Sequence, residues 1–498
     1  MYKLFLPLAV AIAVLAPATG VAQQKLSRPE PQSAGNEARS ALAKKEPTSE
    51  RSIGPLRVSK DNPRYFTDAA GREVLLVGSH TWGNFIDAGA GDPPPPFDFD
   101  EYLGFLVHHG HNFFRLWAAE QTRWVIVSQS DNHFFFPNAY ARTGPGLALD
   151  GKPRFDLTKL NEEYFRRLKQ RVDAASEHGI YVAVMLFNGW SISATKGNFR
   201  ARNVWRGHPF NRDNNINSVD GDPNGDDSGE EIHTLSVPGV TQAQALYVKE
   251  VVRTLADSDN VLYEISNESN IDSVEWQYFM IDLINEEQKR LGVQHPVGMT
   301  ALFPAGTDQP LFDSKADWVS VGGVMEAPTP ADGSKVLIAD TDHICGICGT
   351  RSWAWKSFLS GENPVFMDPY DGALCGSACD GTQMNDPRWM DVRISLGHIR
   401  ALSIRLHLDK LIPSPELSST GYCLATAGNQ ATQLVTYIEG SGTVTLDLER
   451  FDGRPLTVEW INPSTGKTWS SEPVDGGSRQ TLAAPFTGDA VLFVHDAD

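Results

Sequence analysis

The chain has 498 residues and a formal net charge of −19, from 43 Lys and Arg against 62 Asp and Glu. That balance repels phosphate backbones and anionic lipid, and no basic block relieves it locally, so nucleic acid and membrane surfaces are excluded as partners. Lys3, the apolar run 4–16 and the small residues Gly20-Val21-Ala22 predict a signal peptide over 1–22, hence a secreted or periplasmic protein. No Cys near the cleavage site offers a lipid anchor. Residues 23–53 are rich in Gln, Ser, Ala, Glu, Lys and Pro without apolar periodicity and are expected to be a disordered linker.

From residue 71 onward, short apolar runs alternate with segments of helical spacing. Eight runs read as strands: 72–79, 111–117, 180–187, 261–268, 295–300, 317–323, 335–340 and 363–368. Helical spacing covers 99–109, 161–178, 241–256, 274–291 and 391–408. Eight strand–helix units predict an α/β fold, a (β/α)₈ TIM barrel over 54–413, with a hairpin in 56–68 closing its bottom. No G-x-G-x-x-G follows a strand, which removes the usual dinucleotide cofactor; no cofactor is expected for catalysis. After Pro413 the pattern changes to alternating strands at 433–440, 442–449, 456–463 and 489–495, a small antiparallel β-sandwich over 414–498.

Barrel enzymes carry their reactive groups at the C-terminal ends of strands. That rule selects His80, Trp82, Arg115, Trp117, Glu120, Asn188, Trp190, Asn267, Glu268, Asp340, Asp342, His343, Asp368 and Tyr370. Carboxylates among aromatic rings and an Arg suit glycosidic cleavage, which needs a proton donor, an anion beside an oxocarbenium-like transition state, and surfaces that hold a sugar. Trp353 and Trp355, after strand seven, read either as a sugar platform or as loop core.

The fourth run, VLYEISNE, resembles the strand-four signature of clan A glycoside hydrolases, retaining barrel enzymes. The resemblance implies that Glu268 is the acid/base, that Asn267 contacts the substrate 2-hydroxyl, and that Arg115 in HNFFRLW lies beside the nucleophile. Strand seven departs from the clan: IADTDH offers Asp340 and Asp342 where the clan has Glu. Asp340 ends the run and is the favoured nucleophile, Asp342 the alternative, and one of the two is expected to serve as a cap. Barrel and sandwich together resemble bacterial secreted glycoside hydrolases carrying a domain named for collagen binding, a likeness that specifies no substrate. Glu264 shares the inward face of strand four with Glu268 by period two and is expected to pair structurally with Arg115.

Four Cys form two close pairs, 345/348 and 375/379, expected to be linked loop to loop by at least one disulfide, with a Cys₄ zinc site as the alternative. Cys423 is left over as a buried thiol. The run DGDPNGDDSGEE fits a calcium loop through Asp220, Asp222, Asn224, Asp226 and Glu231, a structural Ca²⁺ site if it is not a solvated acidic turn. The expected function is hydrolysis of O-glycosidic bonds in a poly- or oligosaccharide. A binding protein without catalysis and an inverting enzyme using an Asp base are the alternatives; sugar, linkage and oligomeric state stay open.

Overall fold

The computed structural model describes residues 54–125, 132–192, 204–304, 306–328, 330–370, 383–428 and 430–496. The expected signal peptide and linker lie outside the described residues, as do Cys375 and Cys379. Eight parallel strands close into a barrel: β1 (Gly78–His80), β2 (Phe113–Leu116), β3 (Tyr181–Asn188), β4 (Val261–Asn267), β5 (Val297–Thr300), β6 (Trp318–Ser320), β7 (Val336–Asp340) and β8 (Asn363–Met367). Each falls within or overlaps one expected run. All eight are buried along their length, the consequence of a core on one face and helices on the other.

The first run divides. Glu73–Val74 joins a small sheet with Arg57–Val58 and Phe66–Thr67 under the barrel, and only Gly78–His80 enters the barrel itself. Between them the side chains of Asn363 and Asn112 accept from Leu76 N–H and Val77 N–H, replacing ladder bonds. At Gly78 a Cβ would lie 2.0 Å from the Phe113 carbonyl oxygen, so β1 meets β2 there only without a side chain. The small sheet plugs the bottom, where Leu56 and Phe66 pack with Phe113, Tyr181, Leu262 and Trp318.

Around the barrel lie α1 (Phe99–His108), α2 (Glu162–Glu177), α3 (Pro238–Thr254), α4 (Val274–Leu291), α5 (Gln309–Asp313), α6 (Thr341–Ile344), α7 (Arg351–Leu359) and α8 (Pro387–Ser403). α3 and α8 begin three and four residues before the apolar periodicity, because Pro238 and Pro387 occupy their first turns; Asp386 also caps α8 by accepting from Arg388 N–H. Two small antiparallel sheets not anticipated from sequence, Tyr140–Leu147 with Pro153–Leu160 and Asp87–Gly89 with Asn132–Phe136 and Arg123–Val125, decorate the chain between β1 and β3. Among the described residues no helix is long and apolar enough to cross a membrane.

The C-terminal strands are β9 (Leu411–Pro413), β10 (Cys423–Thr426), β11 (Gln433–Ile438), β12 (Thr443–Asp447), β13 (Pro455–Ile461), β14 (Thr468–Asp475), β15 (Arg479–Ala483) and β16 (Ala490–Asp496). They form a six-stranded sheet in the order β9-β10-β11-β16-β13-β14 and a two-stranded sheet of β12 and β15. Trp460, Phe451, Leu446 and Leu492 fill the space between. The other face of the large sheet packs on α7 and α8: Leu424, Val435, Tyr437 and Phe493 meet Trp353, Trp355, Phe358 and Ile399.

Candidate active site

Parallel register sets the site. Asn188 is paired with Asn267 across β3 and β4, Asp340 with Val365 across β7 and β8, and Met367 with His80 across β8 and β1, so these strand ends share one rim. Arg115, pointing inward from β2, is the hub. Its Nε and Nη2 donate to the two oxygens of Glu264 at 2.8 and 2.6 Å, the expected structural pair. Nη2 also donates to Asn267 Oδ1 at 2.7 Å, and Nη1 donates to Asp340 Oδ2 at 3.0 Å and Asp342 Oδ2 at 2.9 Å. One cation, 1% exposed, thus ties β2, β4 and β7 together.

The two strand-seven carboxylates differ in their commitments. Asp340 accepts from His80 Nε2 at 3.0 Å and from Asp342 N–H at 2.9 Å, which makes it the N-cap of α6. Burial pushes its pKa up, but the charges of His80 and Arg115 outweigh burial and hold the carboxyl below the ordinary carboxylate range. Asp342 stands higher: burial raises its pKa, Arg115 offsets part of that, and Asp340 adds to it. Asp340 thus caps α6, as expected of one of the two, and Asp342, with its side chain 7% exposed, is the freer carboxyl. Next to it His343 is pushed down to about 3 by burial and by Arg115, so the ring is neutral. Its Nε2 lies 3.0 Å from Asn267 Oδ1 and its Nδ1 2.7 Å from Ser320 Oγ; the neutral tautomer that donates to Asn267 and accepts from Ser320 satisfies both. Asn267 Oδ1 is thus taken by Arg115 and His343.

Glu268 follows β4 with φ of 49°, a left-handed backbone that a non-glycine residue adopts at a cost. Thr300 at the end of β5 braces the turn: its Oγ1 donates to the Ser266 carbonyl at 2.7 Å and accepts from Glu268 N–H at 3.4 Å. Trp117 stacks on His80 at 5.6 Å, meets the edge of Trp82, and lies 5.3 Å from the Arg115 guanidinium, so these three sequence-selected residues do belong to the cluster. Trp190 is half-buried in the short turn after β3.

Other candidates are placed elsewhere. Glu120 accepts from Asn188 N–H at 3.0 Å and from His233 Nε2 at 3.1 Å, with His208 Nε2 3.8 Å away. Burial pushes it up, yet the two histidines pull it well below the usual carboxylate range. A small pocket lies against it, lined by Tyr140, Tyr164, His208, Phe210 and Tyr247 rather than by the Arg115 cluster. Asp368 is fully buried and paired with Arg393 of α8 through two hydrogen bonds. Tyr370 packs among Tyr102, Phe97 and Phe105. Trp353 and Trp355 sit on a helix, not a loop, and are 1% and 0% exposed; they are core between barrel and sandwich, not a sugar platform.

Cys345 bonds to Cys348 within one loop, so neither makes the expected bond to the second loop or ligates zinc. Cys423 is a free, buried thiol, as expected. Thr300 and Ser320 were missed although they end β5 and β6, where the strand-end rule applies; His208 and His233 come from the β3–β4 insertion, which carries no such signal.

The chain matches the family model described as Domain of unknown function (DUF6298) over residues 127–307. No curated protein matches it. Its fold is similar to a glycoside hydrolase family 5 structure from Bacteroides vulgatus ATCC 8482, at 14% identity and a TM-score of 0.59, covering 90% of this chain and 95% of that one. A second structure, described as a glycoside hydrolase, has 13% identity, a TM-score of 0.53 and coverage of 89% and 97%. At such identities the likeness is one of fold.

Proposed function

We infer that the protein is a secreted O-glycoside hydrolase acting on a poly- or oligosaccharide. The observation that carries this reading is the Arg115 hub, which joins the strand-four Asn267-Glu268 end to the strand-seven carboxylates Asp340 and Asp342. Glu268 protonates the departing glycosidic oxygen, and Asp342 is the anion at the anomeric carbon, while Asp340 and Glu264 hold Arg115 in place. Attack by Asp342 on the anomeric carbon breaks the glycosidic bond; water, deprotonated by Glu268, then releases the sugar with its configuration retained. The shorter Asp and its raised pKa favour a second reading, in which Asp342 takes a proton from water and configuration inverts. A carboxyl separation of about 5–5.5 Å serves the first and about 6.5–9.5 Å the second.

The test is release of reducing sugar from a broad polysaccharide panel by the native protein and by Glu268→Gln, with the anomer of the first product followed by NMR. Release abolished in the variant supports the assignment. No release from any glycan by the native protein would leave a sugar-binding protein in its place, and unchanged release by Glu268→Gln would remove Glu268 from the chemistry.

A further inference from the structure

The proposed chemistry makes no use of the acidic segment 220–231 in the insertion between β3 and β4. This segment is not a simply solvated turn. Asp222 is 6% exposed; its Oδ2 accepts from Asp227 N–H at 2.9 Å, while Oδ1 is buried without a hydrogen-bond partner. Glu231 Oε2 and Ser228 Oγ are likewise buried and unpartnered. Counted from Asp220, these oxygens occupy positions three, twelve and nine, all ligand positions of a twelve-residue calcium loop. Folded proteins leave few buried oxygens unmatched, and three in one turn point to a partner the polypeptide does not supply.

The surrounding geometry agrees. Gly225, at position six, has φ of 73°, the left-handed conformation that lets such a loop reverse. A Cβ at Gly229 would lie 2.3 Å from the Trp205 ring, so the loop backbone rests directly on that buried indole.

We propose that segment 220–231 binds one Ca²⁺ through the side chains of Asp220, Asp222, Asn224, Ser228 and Glu231 and the main chain at Asp226. Among the described residues no three His, Cys, Asp or Glu side chains stand close enough to form a preset metal centre. The proposed set mixes carboxylates with an amide, a hydroxyl and a carbonyl, which suits the large and flexible shell of Ca²⁺ better than the strict octahedron of Mg²⁺. The site has a consequence for the barrel. Glu231 shares the short turn Glu230–His233 with His233, whose Nε2 is 3.1 Å from Glu120 Oε2, whose Nδ1 is 3.3 Å from Ser269 Oγ, and whose ring stacks on Trp276. Ser269 directly follows Glu268. The ion holds the turn that braces this side of the rim.

The experiment strips the full-length protein with chelator and titrates it with Ca²⁺, Mg²⁺ or Tb³⁺ alone. Expected are one Ca²⁺ per chain by elemental analysis, a higher Tm with Ca²⁺ than with Mg²⁺, and Tb³⁺ emission sensitised by Trp205 that Ca²⁺ displaces. The double variant Asp222→Asn/Glu231→Gln loses all three responses. Its Tm in chelator is not below that of the stripped native protein, because two neutral amides relieve like-charge repulsion. A native protein with no Tb³⁺ emission and no Ca²⁺-dependent Tm overturns the proposal, and so does a double variant that still takes up the ion. None of these readouts depends on a glycan, so failure here is distinct from failure of the hydrolase reading.

Discussion

Replacing Arg115 by Met keeps the bulk of the side chain and removes the cation at the centre of the site. Five hydrogen bonds to four side chains are lost, and Glu264, Asp340 and Asp342 remain with side-chain exposures of 0%, 0% and 7%. Summing charged hydrogen bonds at about 1.5–3 kcal/mol each overstates the cost, since the stranded carboxyls neutralise themselves by taking up protons. The penalty is bounded by the proton uptake, about 1.36 kcal/mol for each unit a pKa rises, and about 3–5 kcal/mol is expected near neutral pH. In the native protein Asp340 has a depressed pKa, so its ionisation contributes stability that is present above roughly pH 4 and is lost as pH falls through its lower folded value. In the variant the stranded carboxyls have raised values, and each costs stability as pH rises past about 4. The Asp340 contribution is complete above about pH 4, and the stranded carboxyls of the variant then widen the gap between native and variant from pH 4 toward pH 8. Urea unfolding followed by tryptophan fluorescence at several pH values reads it, after reversibility is checked. A cost below about 1 kcal/mol, or one that does not change with pH, would refute the hub as described.

Three further expectations separate roles within the site. Asp342→Asn should abolish turnover while leaving Tm nearly unchanged, whereas Asp340→Asn should lower Tm, because it weakens the cap of α6 and the contacts to His80 and Arg115; the reverse pattern would exchange their assignments. With Glu268 at φ of 49°, Glu268→Gly should be more stable than Glu268→Ala by about 1 kcal/mol in equilibrium unfolding, although both are inactive; equal stabilities would argue against a left-handed residue there. Trp355→Ala should cost about 3–5 kcal/mol, with KM unchanged in whatever protein remains folded; a raised KM at undiminished stability would restore the sugar-platform reading.

Much of the barrel is local information. A strand buried on both faces must be apolar throughout, so β3 and β4 announce themselves as runs, and period two alone places Glu264 on the inward face of β4. The strand-end rule likewise finds His80, Arg115, Asn267, Glu268, Asp340 and His343, since the C-terminal ends of parallel strands converge whatever the loops do. Their division of labour is not local. Asp340 and Asp342 are two residues apart in one motif, and only the approach of His80, 260 residues away, and the start of α6 make the first an anchor and leave the second freer. Asp368 looked like a rim carboxylate until Arg393, carried on α8, reached it, and Trp353 and Trp355, open between platform and core in the sequence, became core when the sandwich covered their helix. A carboxyl's pKa and an indole's exposure depend on which distant groups fold against them, so one stretch of chain determines which residues gather at the rim, and packing across the molecule determines what each of them is free to do.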